Sequence, residues 1–264
     1  MGVVPHARQG HRGAHGAGGA LQRDVRRGRP QGHAGTDREQ RRQPVPPRHA
    51  GAVPLRGQAV TGYFGKVSTL GDFVSRGLPD GLVAAWDAWL QQCIHASQQQ
   101  LGDQWLNHYL TSPVWRFAIA PGVLGPEGLG GVMMPSVDRV GRYFPLMIGA
   151  VGAPPLLDWF HKHVAWYDAV EDLARASLDP AFGLAQFDGM PEPGVAKDAQ
   201  PVPVNGTWRF ALDANVGERV AAAALQGHGL WWTAGSPGVE PTMLTCAGMP
   251  RAQGFAAMLD GTWH

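Results

Sequence analysis

Cysteine is nearly absent: Cys93 and Cys246 are the only two in 264 residues. Two cysteines that far apart make neither a disulfide framework nor a metal ligand set, and they read as free thiols in a reducing compartment. Long apolar runs are also missing. The most apolar stretch, residues 144–157, is interrupted by Gly149, Gly152, Pro154 and Pro155. It falls well below the roughly 20 residues that span a bilayer. The first residues contain no continuous apolar segment of the kind a secretory leader needs. These absences point to a cytoplasmic protein with no membrane insertion. No Walker sequence, dinucleotide-type glycine spacing, nucleophile elbow or zincin helix is present either, so the familiar signatures of nucleotide, hydrolytic and metal chemistry are lacking.

Lysine and aromatic residues are absent from the first sixty positions apart from histidine rings. That segment holds 11 Arg and three acidic residues, with no Phe, Trp, Tyr or Ile. A composition with so little to bury does not offset the entropy of ordering a chain. One reading is a disordered basic arm that neutralises phosphates. The favoured reading is that residues 1–59 are a mis-annotated extension, because Arg without Lys amid Gly, Ala, Pro and His is what GC-rich DNA yields outside its true frame. Val60 fits a GTG start, so the native protein is expected to begin there; the intact mass of the endogenous protein checks this. The formal net charge of +1 conceals the asymmetry, since residues 61–264 carry 11 bases against 18 acids. A net acidic folded part disfavours nucleic acid as a partner.

From Gly62 onward the pattern changes, and apolar residues, 44% of the whole chain, are sufficient for a sizeable core. Residues 62–67 read as a strand and 68–77 as a loop. Residues 79–101 read as an amphipathic helix, with Leu82, Trp86, Trp89, Leu90 and Cys93 at helical spacing and Pro79 at its start. Asp103 is the expected N-cap of a short second helix reaching Leu110. Strands are expected at 114–120, 130–136 and 143–151, the last two flanking the polar turn from Val137 to Arg142 as a hairpin-like pair. One helix is expected over 156–177, then a Pro-rich connection over 188–205. A strand at 208–212, a helix at 216–225, strands at 230–233 and 242–245 and a closing helix at 250–259 complete the reading. Strands and helices intermix, which predicts a single α/β domain over 60–264. Its expected architecture is a mixed β-sheet flanked by helices in an αβα sandwich.

Candidate chemistry is sparse. The glycine-rich stretch from Gly122 to Gly131 could cradle a phosphate, which keeps a small-molecule or nucleotide-sensing domain as the alternative function. It lacks the Lys-Ser/Thr that follows a phosphate loop, so a plain loop is the expected form. His161 and His163 fall two apart on a helix and so on different faces, which is poor geometry for one metal. Ser236, Asp213 and His228 can be drawn as a triad only by free choice of residues. No catalytic residue, cofactor or metal is therefore expected. The helical tryptophans read as core. In the adjacent pair Trp231-Trp232 one ring can fill the core while the other covers the second side of the sheet or a partner. Asp72, Asp138, Arg139 and Arg142 lie on two expected loops that can meet at one end of the sheet, either as solvated surface or as a recognition patch with Asp72 pairing an Arg across the gap.

Three blocks in order carry a resemblance. Gly62-Tyr63-Phe64-Gly65-Lys66 followed by Gly71-Asp72-Phe73-Val74 resembles the N-terminal signature of the TagF/ImpM family of type VI secretion proteins. Residues 135–146 are similar to that family's segment ending in Gly-Arg-x-Phe-Pro. The third block runs from Leu230-Trp231-Trp232-Thr233 and Gly235-Ser236 to Gly248-Met249-Pro250, Phe255 and Met258-Leu259. The resemblance implies an α/β sandwich without catalytic activity. It also implies a post-translational negative regulator of secretion-system assembly that contacts the forkhead-associated scaffold protein. No nucleic acid and no small molecule is expected as a partner. Asp72, Phe73, Asp138, Arg142, Trp232 and Ser236 are the candidate partner-binding residues, with an exposed Phe73 as anchor.

Overall fold

The computed structural model describes residues 60–152, 154–194, 203, 205–210 and 212–263. The expectation for residues 1–59 lies outside the described residues. Among the described residues, seven strands form one sheet in the order β2-β1-β5-β4-β3-β6-β7. They are β1 (Val60–Gly65), β2 (Val74–Arg76), β3 (Trp115–Ile119), β4 (Gly128–Met134), β5 (Leu146–Gly152), β6 (His228–Thr233) and β7 (Thr242–Ala247). Six helices accompany them there: α1 (Asp80–Leu101), α2 (Trp105–Thr111), α3 (Leu156–Lys162), α4 (Val164–Ala176), α5 (Val216–Ala224) and α6 (Phe255–Asp260).

The α/β sandwich is as expected, but every pairing is antiparallel where a mixed sheet is expected. The connectivity explains the difference. Helices intervene between β2 and β3 and between β5 and β6, and neither pair is adjacent in the sheet. No strand–helix–strand crossover therefore joins neighbours, and the remaining connections are hairpins, which enforce antiparallel pairing.

Strand alternation sends side chains to two separate cores. Phe64, Trp115, Phe117, Ile119, Met147 and Trp231 pack with α1, α2 and α6 on one face. Tyr63, Ala118, Val132, Ile148 and Leu230 pack with α3 and α4 on the other. α1 buries Leu82, Trp86, Leu90 and Cys93, spaced four, four and three apart, along a single stripe. Burying both faces explains why β4 has no exposed residue and why glycine recurs where the faces are crowded. A Cβ on Gly130 would fall within 2.6 and 2.7 Å of the Trp159 ring, and one on Gly131 within 2.7 Å of Phe117 Cζ. The expected glycine loop is thus partly a strand interior. Only Gly122 to Gly125 forms a turn, with the Gly122 N–H donating to the Gly125 carbonyl at 2.7 Å.

Four further boundaries differ from expectation. Asp103 is not an N-cap: it lies inside a 3-10 turn, Gly102–Gln104, that runs directly into α2. The helix expected over 156–177 breaks at His163 (φ −112°, ψ 24°), where the ring packs 5.1 Å from Trp159. The described residues between 208 and 212 form no strand, and Leu212 is 94% exposed. Within the expected 68–77 loop, Val74–Arg76 pairs with β1 as a short edge strand.

Candidate functional site: a buried ion pair beneath an exposed loop

The connection between β4 and β5 closes as a small hairpin. Val137 bridges Tyr143, and the Gly141 N–H donates to the Asp138 carbonyl at 2.9 Å. Gly141 supplies the positive φ of 84° that the turn needs. The Asp138 side chain organises the rest. It is 3% exposed and accepts from the Lys66 ammonium, from the Val140 N–H at 3.0 Å and the Arg142 N–H at 2.9 Å, and from Arg142 Nε at 2.7 Å. Burial alone would raise its pKa. The Lys66 hydrogen bond, both Arg142 donors and the Lys66 charge outweigh that and hold it at about 2.

Lys66 is brought there by its position directly after Gly65, the last residue of β1. It is 4% exposed, and its ammonium also lies 4.8 Å over the Phe73 ring, a favourable cation–π placement. Its backbone carbonyl accepts from Ser136 Oγ at 2.8 Å. Tyr109 of α2 then fixes Ser136 from the far side: its hydroxyl accepts the Ser136 N–H at 3.0 Å and donates to the Ser136 carbonyl at 2.9 Å. Burial pushes the Tyr109 hydroxyl pKa far up, which keeps it neutral and able to donate.

The two loops meet. The Arg139 N–H donates to the Leu70 carbonyl at 2.8 Å, and Arg142 Nη2 donates to the Gly71 carbonyl. The cross-gap pairing expected of Asp72 is made by Asp138 and a backbone carbonyl instead. Asp72 is exposed and accepts from its neighbour's amide, Phe73 N–H, at 2.8 Å; among the described residues no ion pair includes it. Phe73 is not the exposed anchor expected. It is half-buried, stacked on Phe64 at 5.7 Å and edge-on to Phe144 at 4.8 Å. The outward-facing residue is Val140, 64% exposed, between the exposed Arg139 and Arg142.

Trp232 and Ser236 lie elsewhere. Four strand spacings separate β6 from β1, roughly 19 Å. Trp232 is half-buried against Phe160 (5.2 Å) and Tyr167 (4.9 Å), while Trp231 fills the opposite core. Ser236 sits in the β6–β7 turn, its Oγ buried without a hydrogen-bond partner among the described residues. It borders a concavity of about 430 Å³ formed by residues 234–241. The free triad does not assemble: Asp213 pairs with Arg219 at 2.7 Å, His228 Nδ1 lies 2.9 Å from the Gln226 carbonyl, and β6 separates His228 from Ser236. Lys66, Tyr109, Ser136 and Val140 are the members of the site that sequence reasoning missed. A lone lysine ending an apolar strand run was the one available signal for Lys66.

The family model for the TagF N-terminal domain, described as type VI secretion system-associated, matches residues 62–191. That span contains every residue of the Lys66–Asp138 cluster and stops before β6 and β7. The crystal structure of PA0076 from Pseudomonas aeruginosa PAO1 is similar in fold, with a TM-score of 0.72 and 38% sequence identity, over 77% of this chain and 96% of that one. No curated protein matches this chain.

Proposed function

The chain belongs to the TagF family of type VI secretion system-associated proteins, and from that membership we propose that it acts in the cytoplasm, without catalysis, as a post-translational negative regulator of that system's assembly. It does so by docking onto the forkhead-associated scaffold protein through the loop from Asp138 to Arg142. The observation that carries this reading is the preorganisation of that loop. Four donors saturate one buried carboxylate, and the loop they hold presents an apolar tip, Val140, between two cations. A surface fixed before contact loses little conformational freedom on binding, and the arginines that flank the tip are of a residue type enriched at interface anchors.

The saturated carboxylate also favours bracing over chemistry. A proton-transferring acid at neutral pH needs a pKa near the working pH and a free lone pair; Asp138 has a pKa of about 2 and its oxygens are occupied. The test is capture of the scaffold protein from the native host by the full chain and by a Val140→Asp, Arg139→Glu variant. Both side chains are exposed, so the melting temperature should be unchanged while capture falls at least tenfold. Undiminished capture by a folded variant would overturn the docking site.

A further inference from the structure

We infer that the outer edge of β7 is a self-association surface, on which a second copy of this chain adds its own β7 antiparallel about a two-fold axis. This rests on the strand geometry and stands apart from the regulatory reading above.

The two edges of the sheet differ. β2 is three residues long and carries Arg76, the short charged form that discourages edge pairing. β7 is six residues, Thr-Met-Leu-Thr-Cys-Ala, with neither charge nor proline, and no described residue pairs with its outer side. The orientation of its free groups follows from two hydrogen bonds. The Ala120 N–H donates to the His228 carbonyl at 2.9 Å, and the Gly248 N–H donates to the Gly227 carbonyl at 2.7 Å. In β6, then, the His228 carbonyl and the backbone groups of Leu230 and Trp232 turn toward β3, and the alternate residues turn theirs toward β7. With Gly229 opposite Cys246 and Trp231 opposite Leu244, Thr242, Leu244 and Cys246 are bonded inward. Met243, Thr245 and Ala247 therefore direct their N–H and C=O groups outward.

That ladder is self-complementary. A two-fold axis at Thr245 sets Thr245 against its own counterpart, Met243 against Ala247 of the second copy, and Leu244 against Cys246. No charges are opposed, a bulky side chain meets a small one, and facing threonines are a favourable cross-strand pair. An isologous contact of this kind closes at two copies. Because a six-residue edge buries little area, the dimer belongs to the weak, concentration-dependent class.

The experiment is sedimentation of the full chain over a concentration series. The expected result is a monomer–dimer equilibrium. Met243→Lys with Ala247→Lys sets two cations opposite each other and should leave only monomer. Met243→Lys with Ala247→Glu sets opposite charges at the same positions and should restore the dimer. Met243 and Ala247 are exposed, so circular dichroism should be unchanged in both variants. A wild-type chain that stays monomeric throughout, a dimer that survives the double lysine change, or a Lys/Glu variant that stays monomeric would each overturn the proposal.

Discussion

The ammonium of Lys66 at the end of β1 is bonded to the carboxylate of Asp138, 72 positions further along the chain, and both groups are sealed from solvent. The two partners are not equally dependent on each other. Without Lys66, Asp138 keeps Arg142 Nε and two backbone N–H groups. Without Asp138, Lys66 keeps only the face of Phe73, and three further donors lose their acceptor. Asp138→Ala should therefore cost about 3–5 kcal/mol, the range for a broken buried pair, and Lys66→Met about 1–2 kcal/mol. Urea unfolding of the two variants checks the order; equal losses would mean that the carboxylate is held by Lys66 alone.

The same carboxylate sets an acid limit. Its folded pKa of about 2 lies below the ordinary 3.8, so the stability it contributes is fully present above about pH 4 and is lost as pH falls through about 2. A depression of that size corresponds to about 2 kcal/mol. The gap in unfolding free energy between the wild type and Asp138→Asn should be constant from about pH 7 to pH 5 and narrow below about pH 4. A gap that widens on acidification would reverse the assignment.

Crowding at the middle of the sheet makes another contrast. Gly130 lies against the ring of Trp159, whereas a methyl group added to Gly125, on a surface turn, would meet nothing within 4 Å. Gly130→Ala forces ring or strand to shift and should cost about 1–3 kcal/mol or more. Gly125→Ala should stay within about 0.5 kcal/mol. Comparing the melting temperatures of the two variants tests whether β4 and α3 are as tightly apposed as the geometry requires.

What was legible in the sequence follows the range of the interactions. The stripe Leu82, Trp86, Leu90 and Cys93 announces α1 because helical packing repeats locally. The opposite orientations of Trp231 and Trp232 follow from strand alternation alone. β2 leaves no pattern in the sequence because only Val74 of its three residues is buried; its pairing depends on the close approach of Gly62 to the Arg76 carbonyl and Gly77. The break at His163 is hidden by apolar spacing that continues across it. At the site, Asp138 and Arg142 were visible as loop charges, but the partner Lys66 was not, since nothing periodic links a strand end to a turn 72 residues away. Phe73 reads as a surface anchor because it lies in an expected loop beside Gly71 and Asp72; its ring is drawn inward by Phe64 and Phe144.

Tyr109 offers the means to loosen the loop without touching it. Its hydroxyl is the acceptor for the Ser136 N–H and a donor to the Ser136 carbonyl, and Ser136 in turn bonds the Lys66 carbonyl. Tyr109→Phe keeps the ring stacked 4.9 Å from Trp105 but strands a buried N–H, which costs about 1–3 kcal/mol. The local effect should exceed the global one. Amide hydrogen exchange at Asp138, Val140 and Arg142 should accelerate, because those N–H groups depend on a turn whose base is Ser136, while exchange in α4, on the other face of the sheet, keeps its pattern. If the loop is the docking surface, scaffold capture should weaken in proportion to that loosening, although no residue at the tip has changed. Unaltered exchange in the loop would show that Asp138 and Gly141 hold the turn by themselves and that α2 contributes only packing.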